Sequence, residues 1–148
     1  MKWFIVMVTI FLDQLSKRIV VRYLKEVEQI PVIEGFFHLR YLENRGAAFG
    51  LMQNQQVFFI TITILILGWI FWFLIKNPQM NPLLMVSLSL IAGGAIGNFI
   101  DRLFFGFVVD FLDFLVWPVF NVADMAIVAG QIILIYFIIK DKPISEGM

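Results

Sequence analysis

The sequence predicts an all-α membrane protein of four transmembrane helices with a small β-sheet outside the bilayer. Composition is the first reason: 61% of the 148 residues are hydrophobic and mean hydropathy is +0.90, values outside the range of soluble domains. The second is spacing, because four apolar stretches, 3–24, 57–75, 82–101 and 122–139, each approach the ~20 residues a helix needs to cross hydrocarbon. The third is the segment 26–56, the one sizeable stretch expected outside the membrane, where short β-like runs suggest a small hairpin or sheet. Length favours one domain, 1–148.

The first stretch opens with Lys2 and WFIVMVTIFL, as a secretory signal peptide would, but no small-residue cleavage site follows. It is expected to be a retained helix. Asp13 and Lys17 stand at i, i+4, on one face, where they neutralise each other and fix helix packing near an interface.

In 26–56, runs at 30–33 and 36–42 flank Glu34-Gly35 and predict a hairpin or small sheet. The segment ends in ENRGAAFG, where Gly46 and Gly50 either let backbone approach a neighbour closely or make an ordinary turn. Phe36, Phe37 and Phe49 make it apolar enough to lie on the bilayer as a lid.

The second stretch carries no charge before Lys76, and Trp69 and Trp72 lie toward that end as interfacial aromatics. Asn77-Pro78 and Asn81-Pro82 then turn the chain into an antiparallel third helix. Ser87, Ser89, Gly93, Gly94 and Gly97 predict close helix packing there. Asn98 and Arg102 share a face at its end, with Asp101 on the adjoining face, expected to pair with Arg102 or to cap the pocket. The fourth stretch begins Asn121-Val-Ala-Asp124, which reads as an N-cap followed by an acid at N3.

Six polar residues of 93–130, Asn98, Asp101, Arg102, Asp110, Asn121 and Asp124, are set between strongly apolar segments. Separate burial of three carboxylates and an arginine is too costly, so one polar pocket is expected. Asp110 and Asp124 are its candidate catalytic pair. Zero net charge with scattered basic residues gives no nucleic-acid footprint, and no cysteine with a single histidine leaves no thiolate or histidine metal cluster. Catalysis would then run on carboxylates, hydroxyls, Lys or Arg, and two carboxylates converging on a shielded site tend to share a proton: one activates water while the other donates to the carbonyl or leaving amine. On residues alone two other classes stay open. A small ion or proton transporter also uses intramembrane acids, although these gather at one end of the helices, and an assembly subunit would use Asp13, Lys17 and Arg102 as interhelical glue.

Four motifs, DQLSK at 13–17, NRGAAF at 44–49, GAIGNFIDR at 94–102 continuing to Val109-Asp110-Phe111, and FNVAD at 120–124, together resemble the lipoprotein signal peptidases, the bacterial type II signal peptidase family of aspartic peptidases. The resemblance covers nearly the whole chain. It implies that Asp110 and Asp124 are the catalytic dyad, that Asn98, Arg102 and Asn121 support the site, and that Asp13, Lys17, Asn44 and Gly46 shape or stabilise it. It implies a substrate, a prolipoprotein whose lipobox cysteine carries diacylglycerol, cleaved before that cysteine, and requires no cofactor. A monomer among membrane lipids is expected, in the bacterial cytoplasmic membrane. Both termini would then be cytoplasmic, with the sheet an extracytoplasmic cradle beside the active site, although raw counts of Lys and Arg point the other way. One departure is the connection from Asp110 to Asp124, shorter than in many members, with Asp113 as an extra acid nearby.

Overall fold

The computed structural model describes residues 1–46 and 55–140. The expectations for 47–54, including a lid role for Phe49 and close approach at Gly50, lie outside the described residues. Four helices, α1 (Lys2–Leu24), α2 (Gln56–Lys76), α3 (Pro82–Phe105) and α4 (Val122–Lys140), carry three strands, β1 (Gln29–Ile33), β2 (Phe37–Asn44) and β3 (Val108–Asp113). Helices α2, α3 and α4 are long and apolar enough to cross a membrane. Helix α1 is as long at 23 residues, ~34 Å at 1.5 Å per residue, but carries more charge.

Helix α3 is the hub, packed against α1, α2 and α4. Its start is set by Asn81, whose side chain accepts from Leu83 N at 2.9 Å, followed by Pro82 in the first turn. Small residues then let its neighbours close in. A Cβ on Gly93 would meet Thr9 of α1 at 2.7 Å, one on Gly94 would collide with the carbonyl oxygen of Ala123, and one on Gly97 with the Asp13 carboxylate. The sequence-predicted close packing is therefore present, and at Gly97 it makes room for a charge as well as for a helix. Val6, Leu67, Ile70, Leu74, Leu88 and Ala92 fill the apolar core below. Lys2 donates to the carbonyl of Leu74, so α1 begins where α2 ends.

The expected hairpin forms, turning at Gly35 with φ of 71°. Its sheet has a third strand that the alternation of 26–56 could not supply: β3 pairs antiparallel with β2, giving the order β1-β2-β3, with Leu42 opposite Asp110 and Asn44 opposite Val108. Strand β3 is buried along nearly its whole length. Helix α3 also runs four residues beyond the expected 82–101, to Phe105, and stops at Gly106, whose left-handed φ of 79° reverses the chain. That reversal delivers Asp110 to the sheet.

Candidate active site

Asp110 hangs from β3 and Asp124 from the first turn of α4, and Asn121 joins them. As N-cap of α4, Asn121 accepts at Oδ1 from the backbone N of Asp124 at 2.9 Å, while its own backbone N donates to Asp124 Oδ2 at 3.2 Å. This is the reciprocal capping arrangement expected from Asn121-Val-Ala-Asp124. The amide nitrogen of the same side chain donates to Asp110 Oδ1 at 2.6 Å and also contacts Asn98 Oδ1 at 3.1 Å and the Val109 carbonyl at 3.3 Å. Asn121 is fully buried, so both acids are held by a group with no freedom to turn away.

The environments of the two acids differ. Asp110 is buried, with Asn44 Nδ2 donating to its Oδ2 at 2.8 Å. Burial, and then the neighbouring charge of Asp124, push its carboxyl up from 3.8 to about 7, although the hydrogen bonds from Asn44 and Asn121 pull the other way. Asp124 is half-buried, accepts at Oδ1 from Asn98 Nδ2 at 2.8 Å, and stands where the α4 dipole favours negative charge. The surroundings of Asp110 thus favour its protonated form.

Both acids open onto a cavity of about 700 Å³ whose polar wall includes Asn44, Asn98 and Arg102. Its apolar wall runs down α4 through Met125, Val128 and Ile132, positions spaced along one helical face. Arg102 donates to the Gly46 carbonyl at 3.5 Å, and its guanidinium lies 4.9 Å from the Phe59 ring centroid. Gly46 N in turn donates to Asn44 Oδ1 at 3.0 Å.

Behind the cleft lies a second buried cluster. Lys17 Nζ bonds Asp13 Oδ2 at 2.8 Å, Asp101 Oδ2 at 3.0 Å and Asn98 Oδ1 at 3.0 Å, using its three protons. Asp13 Oδ1 accepts from Ala123 N at 3.0 Å, tying α1 to a free backbone donor of the α4 N-terminus. Asp101 Oδ2 accepts from Val109 N at 3.1 Å, tying α3 to β3. Every sequence-predicted site residue is therefore in one connected network: Asn44, Gly46, Asn98, Arg102, Asp110, Asn121 and Asp124 at the cleft, Asp13 and Lys17 supporting it.

Asp101 corrects an expectation. It pairs with Lys17 instead of Arg102, and none of the ion pairs among the described residues includes Arg102. Adjacent residues on a helix point about 100° apart, so Asp101 faces α1 while Arg102 faces the cleft. Asp113, the extra acid, is absent from the cavity wall; it accepts from Leu115 N at 2.8 Å and lies 3.8 Å from Arg40. Sequence reasoning missed Gln14, whose Nε2 reaches Asp13 Oδ2 at 3.2 Å, the Gly97 carbonyl at 3.2 Å and Asp101 Oδ1 at 3.0 Å. A glutamine beside Asp13 within a membrane helix was the available signal. It also missed Gln56, which donates to the Arg102 carbonyl at the end of α3.

An acidic cleft set among membrane helices under a small sheet defines a membrane-embedded aspartic endopeptidase, and the known proteins that resemble the chain are of that class. The family model for signal peptidase (SPase) II matches residues 5–140; the chain belongs to this family, aspartic peptidases that process prolipoproteins. It is 52% identical over 136 residues to the lipoprotein signal peptidase of Caldanaerobacter subterraneus subsp. tengcongensis, covering 91% of this chain and 93% of that one. It is 40% identical over 146 residues to that of Halothermothrix orenii, covering 99% and 100%. Among solved structures, a bacterial membrane enzyme determined by the in meso method at 2.3 Å resolution superposes with a TM-score of 0.89 at 36% identity, over 99% of this chain and 94% of that one. The protein is a multi-pass bacterial membrane protein.

Proposed function

We propose that the chain removes the signal peptide from diacylglyceryl-modified prolipoproteins, cutting before the lipidated cysteine by water activation at Asp110 and Asp124. The observation that carries this reading is the unequal acid pair opening directly onto an apolar wall of α4. A signal-peptide helix or the two acyl chains would lie along Met125, Val128 and Ile132, bringing the scissile peptide to the carboxyls.

In the reaction, Asp124 takes a proton from water as the oxygen adds to the scissile carbonyl carbon, and Asp110 gives its proton to the carbonyl oxygen. The tetrahedral intermediate collapses with cleavage of the C–N bond. The proton on Asp124 passes to the cysteine nitrogen, and an intermediate hydroxyl returns one to Asp110 as the new carboxylic acid forms. Arg102, in the cavity wall beside both acids, is placed to steady the substrate backbone, and Asn98 and Asn121 keep both acids aimed. A precursor lacking diacylglycerol should be cut far more slowly than the lipidated one, with the lipidated product beginning at the modified cysteine. Equal cleavage of both precursors would remove the lipid from the reading.

The pair titrates as a unit, and the reaction needs one proton on it. Cleavage is therefore expected to fall on the alkaline side as pH rises through about 7, where Asp110 loses its proton. The Asn44 hydrogen bond favours the ionised form, so Asn44→Ala should move that limb to higher pH while lowering the maximal rate. A pH–rate profile of kcat measures both, and an alkaline limb unmoved in the variant would contradict the assignment of the donor.

The reading also places both termini in the cytoplasm, the sheet outside and a single chain as the active unit. Since the chain has no cysteine, single cysteines report orientation without background. Glu34→Cys in the sheet turn should react with a membrane-impermeant maleimide in intact cells, and Gln79→Cys between α2 and α3 only after permeabilisation. The reverse pattern would invert the topology.

A further inference from the structure

On the far side of the Lys17–Asp101 pair from the cleft, α1 and α3 frame a second cavity of about 750 Å³, sharing no wall residue with the first. Its rim is strongly basic. Arg18, Arg22 and Lys25 stand at i, i+4 and i+7 along α1, all exposed, and none of the ion pairs among the described residues includes them. Two lie against aromatic rings: Arg22 is 5.6 Å from the Tyr23 ring and Lys25 5.9 Å from the Tyr41 ring. The one carboxylate in the wall, Asp101, is neutralised by Lys17. Glu43, near the rim through its 3.0 Å bond from the Tyr41 hydroxyl, is paired with Arg45.

On a soluble protein this would be a solvated helix face. Here Arg18 lies ~9 Å below the end of α1, beside exposed Ile19 and Val21 and facing exposed Phe104 and Phe105 of α3. Cations at that depth reach upward to the headgroup layer, where the available anions are lipid phosphates. A further cavity of about 360 Å³ adjoins at Gln14 and Arg18 and continues along α1 past Leu15, Phe11, Ile10 and Met7. From Arg18 to Met7 is ~16 Å of helix. A basic rim above an apolar channel of that length has the shape and polarity of one lipid molecule.

We propose that the α1–α3 face is a binding site for an anionic glycerophospholipid, its phosphate held by Arg18, Arg22 and Lys25 and one acyl chain lying along Leu15, Phe11 and Met7. The site accounts for a charge pattern that otherwise opposes the orientation: basic residues at the sheet end are occupied by lipid phosphates. It also puts a lipid directly behind Lys17, the support of the cleft.

Native mass spectrometry of the full chain in detergent, with dioleoylphosphatidylglycerol or dioleoylphosphatidylcholine as probe, tests this. The wild type should retain the anionic lipid on the order of tenfold better than the zwitterionic one. The variant R18Q/R22Q/K25Q should lose that preference and still cleave precursor in detergent, R18K/R22K should keep it, and K76Q/K140Q, which removes charge elsewhere, should keep it too. Equal retention by wild type and the triple glutamine variant overturns the proposal, as does equal loss in K76Q/K140Q, which would mark unlocalised charge attraction. Competition by inorganic phosphate at the lipid's own concentration would make the occupant a free anion. If the triple variant fails to fold, a photoactivatable phosphatidylglycerol on the wild type decides: crosslinks in the α1 peptide support the site, and crosslinks only elsewhere refute it.

Discussion

Asp110→Asn is expected to lower cleavage by about 10³-fold or more while leaving the fold intact, because acid–base groups of this kind contribute ~10²–10⁴-fold and the two carboxyls act as one unit. The substitution keeps size and shape. Asn121 Nδ2 still meets an amide oxygen in place of Oδ1, whereas Asn44 Nδ2, which donates to Oδ2 at 2.8 Å, meets an amide NH₂ unless the new side chain rotates. What disappears is a proton that can be given and taken back. Since burial opposes the charged form of Asp110, the neutral variant should melt at or above the wild-type temperature near pH 8. Lost activity with a lowered melting temperature would point to a structural role, and retained activity would remove Asp110 from the chemistry.

Lys17→Met should have the largest effect on stability. Lys17, Asp13 and Asp101 are each 3% exposed or less, and the lysine is the only cation in ion-pair contact with either acid among the described residues. Its removal leaves two carboxylates facing each other without a counter-charge, and breaking a buried pair in this way costs about 3–5 kcal/mol. The damage spreads through the bonds those acids make to Ala123 N and Val109 N, which hold α4 and β3 in place and hence both members of the cleft. Adding Asp101→Asn to Lys17→Met restores the original charge balance and should recover part of the loss. Thermal unfolding in detergent reads both variants; a single variant as stable as wild type would mean that the cluster is not held by its lysine.

Much of this was legible because the solvent is hydrocarbon. Four apolar stretches of spanning length fixed the helices to within a few residues, and an acid in such surroundings marks itself by its cost: hence Asp13 with Lys17, and Asp110 with Asp124. The cap at Asn121 could be read because its partners lie three residues apart. What stayed hidden depends on contacts distant in sequence. Val108–Asp113 is buried along nearly its whole length and shows no alternation, and its partner strand lies more than sixty residues upstream, so nothing local marked β3 as a strand. The pairing of Asp101 with Lys17 instead of its neighbour Arg102 follows from which helix packs on which face of α3. The length of α3 was set by Gly106, a stop signal weaker in sequence than the charged cluster before it.

The most direct test compares cleavage of one purified diacylglyceryl-modified prolipoprotein by wild type and by folded Asp110→Asn, Asp124→Asn and Asp113→Asn variants in the same lipid. The account predicts cleavage before the lipidated cysteine by wild type and Asp113→Asn, and its loss in both Asp110→Asn and Asp124→Asn. Full activity in either of those two, or loss in Asp113→Asn alone, would contradict the assigned pair.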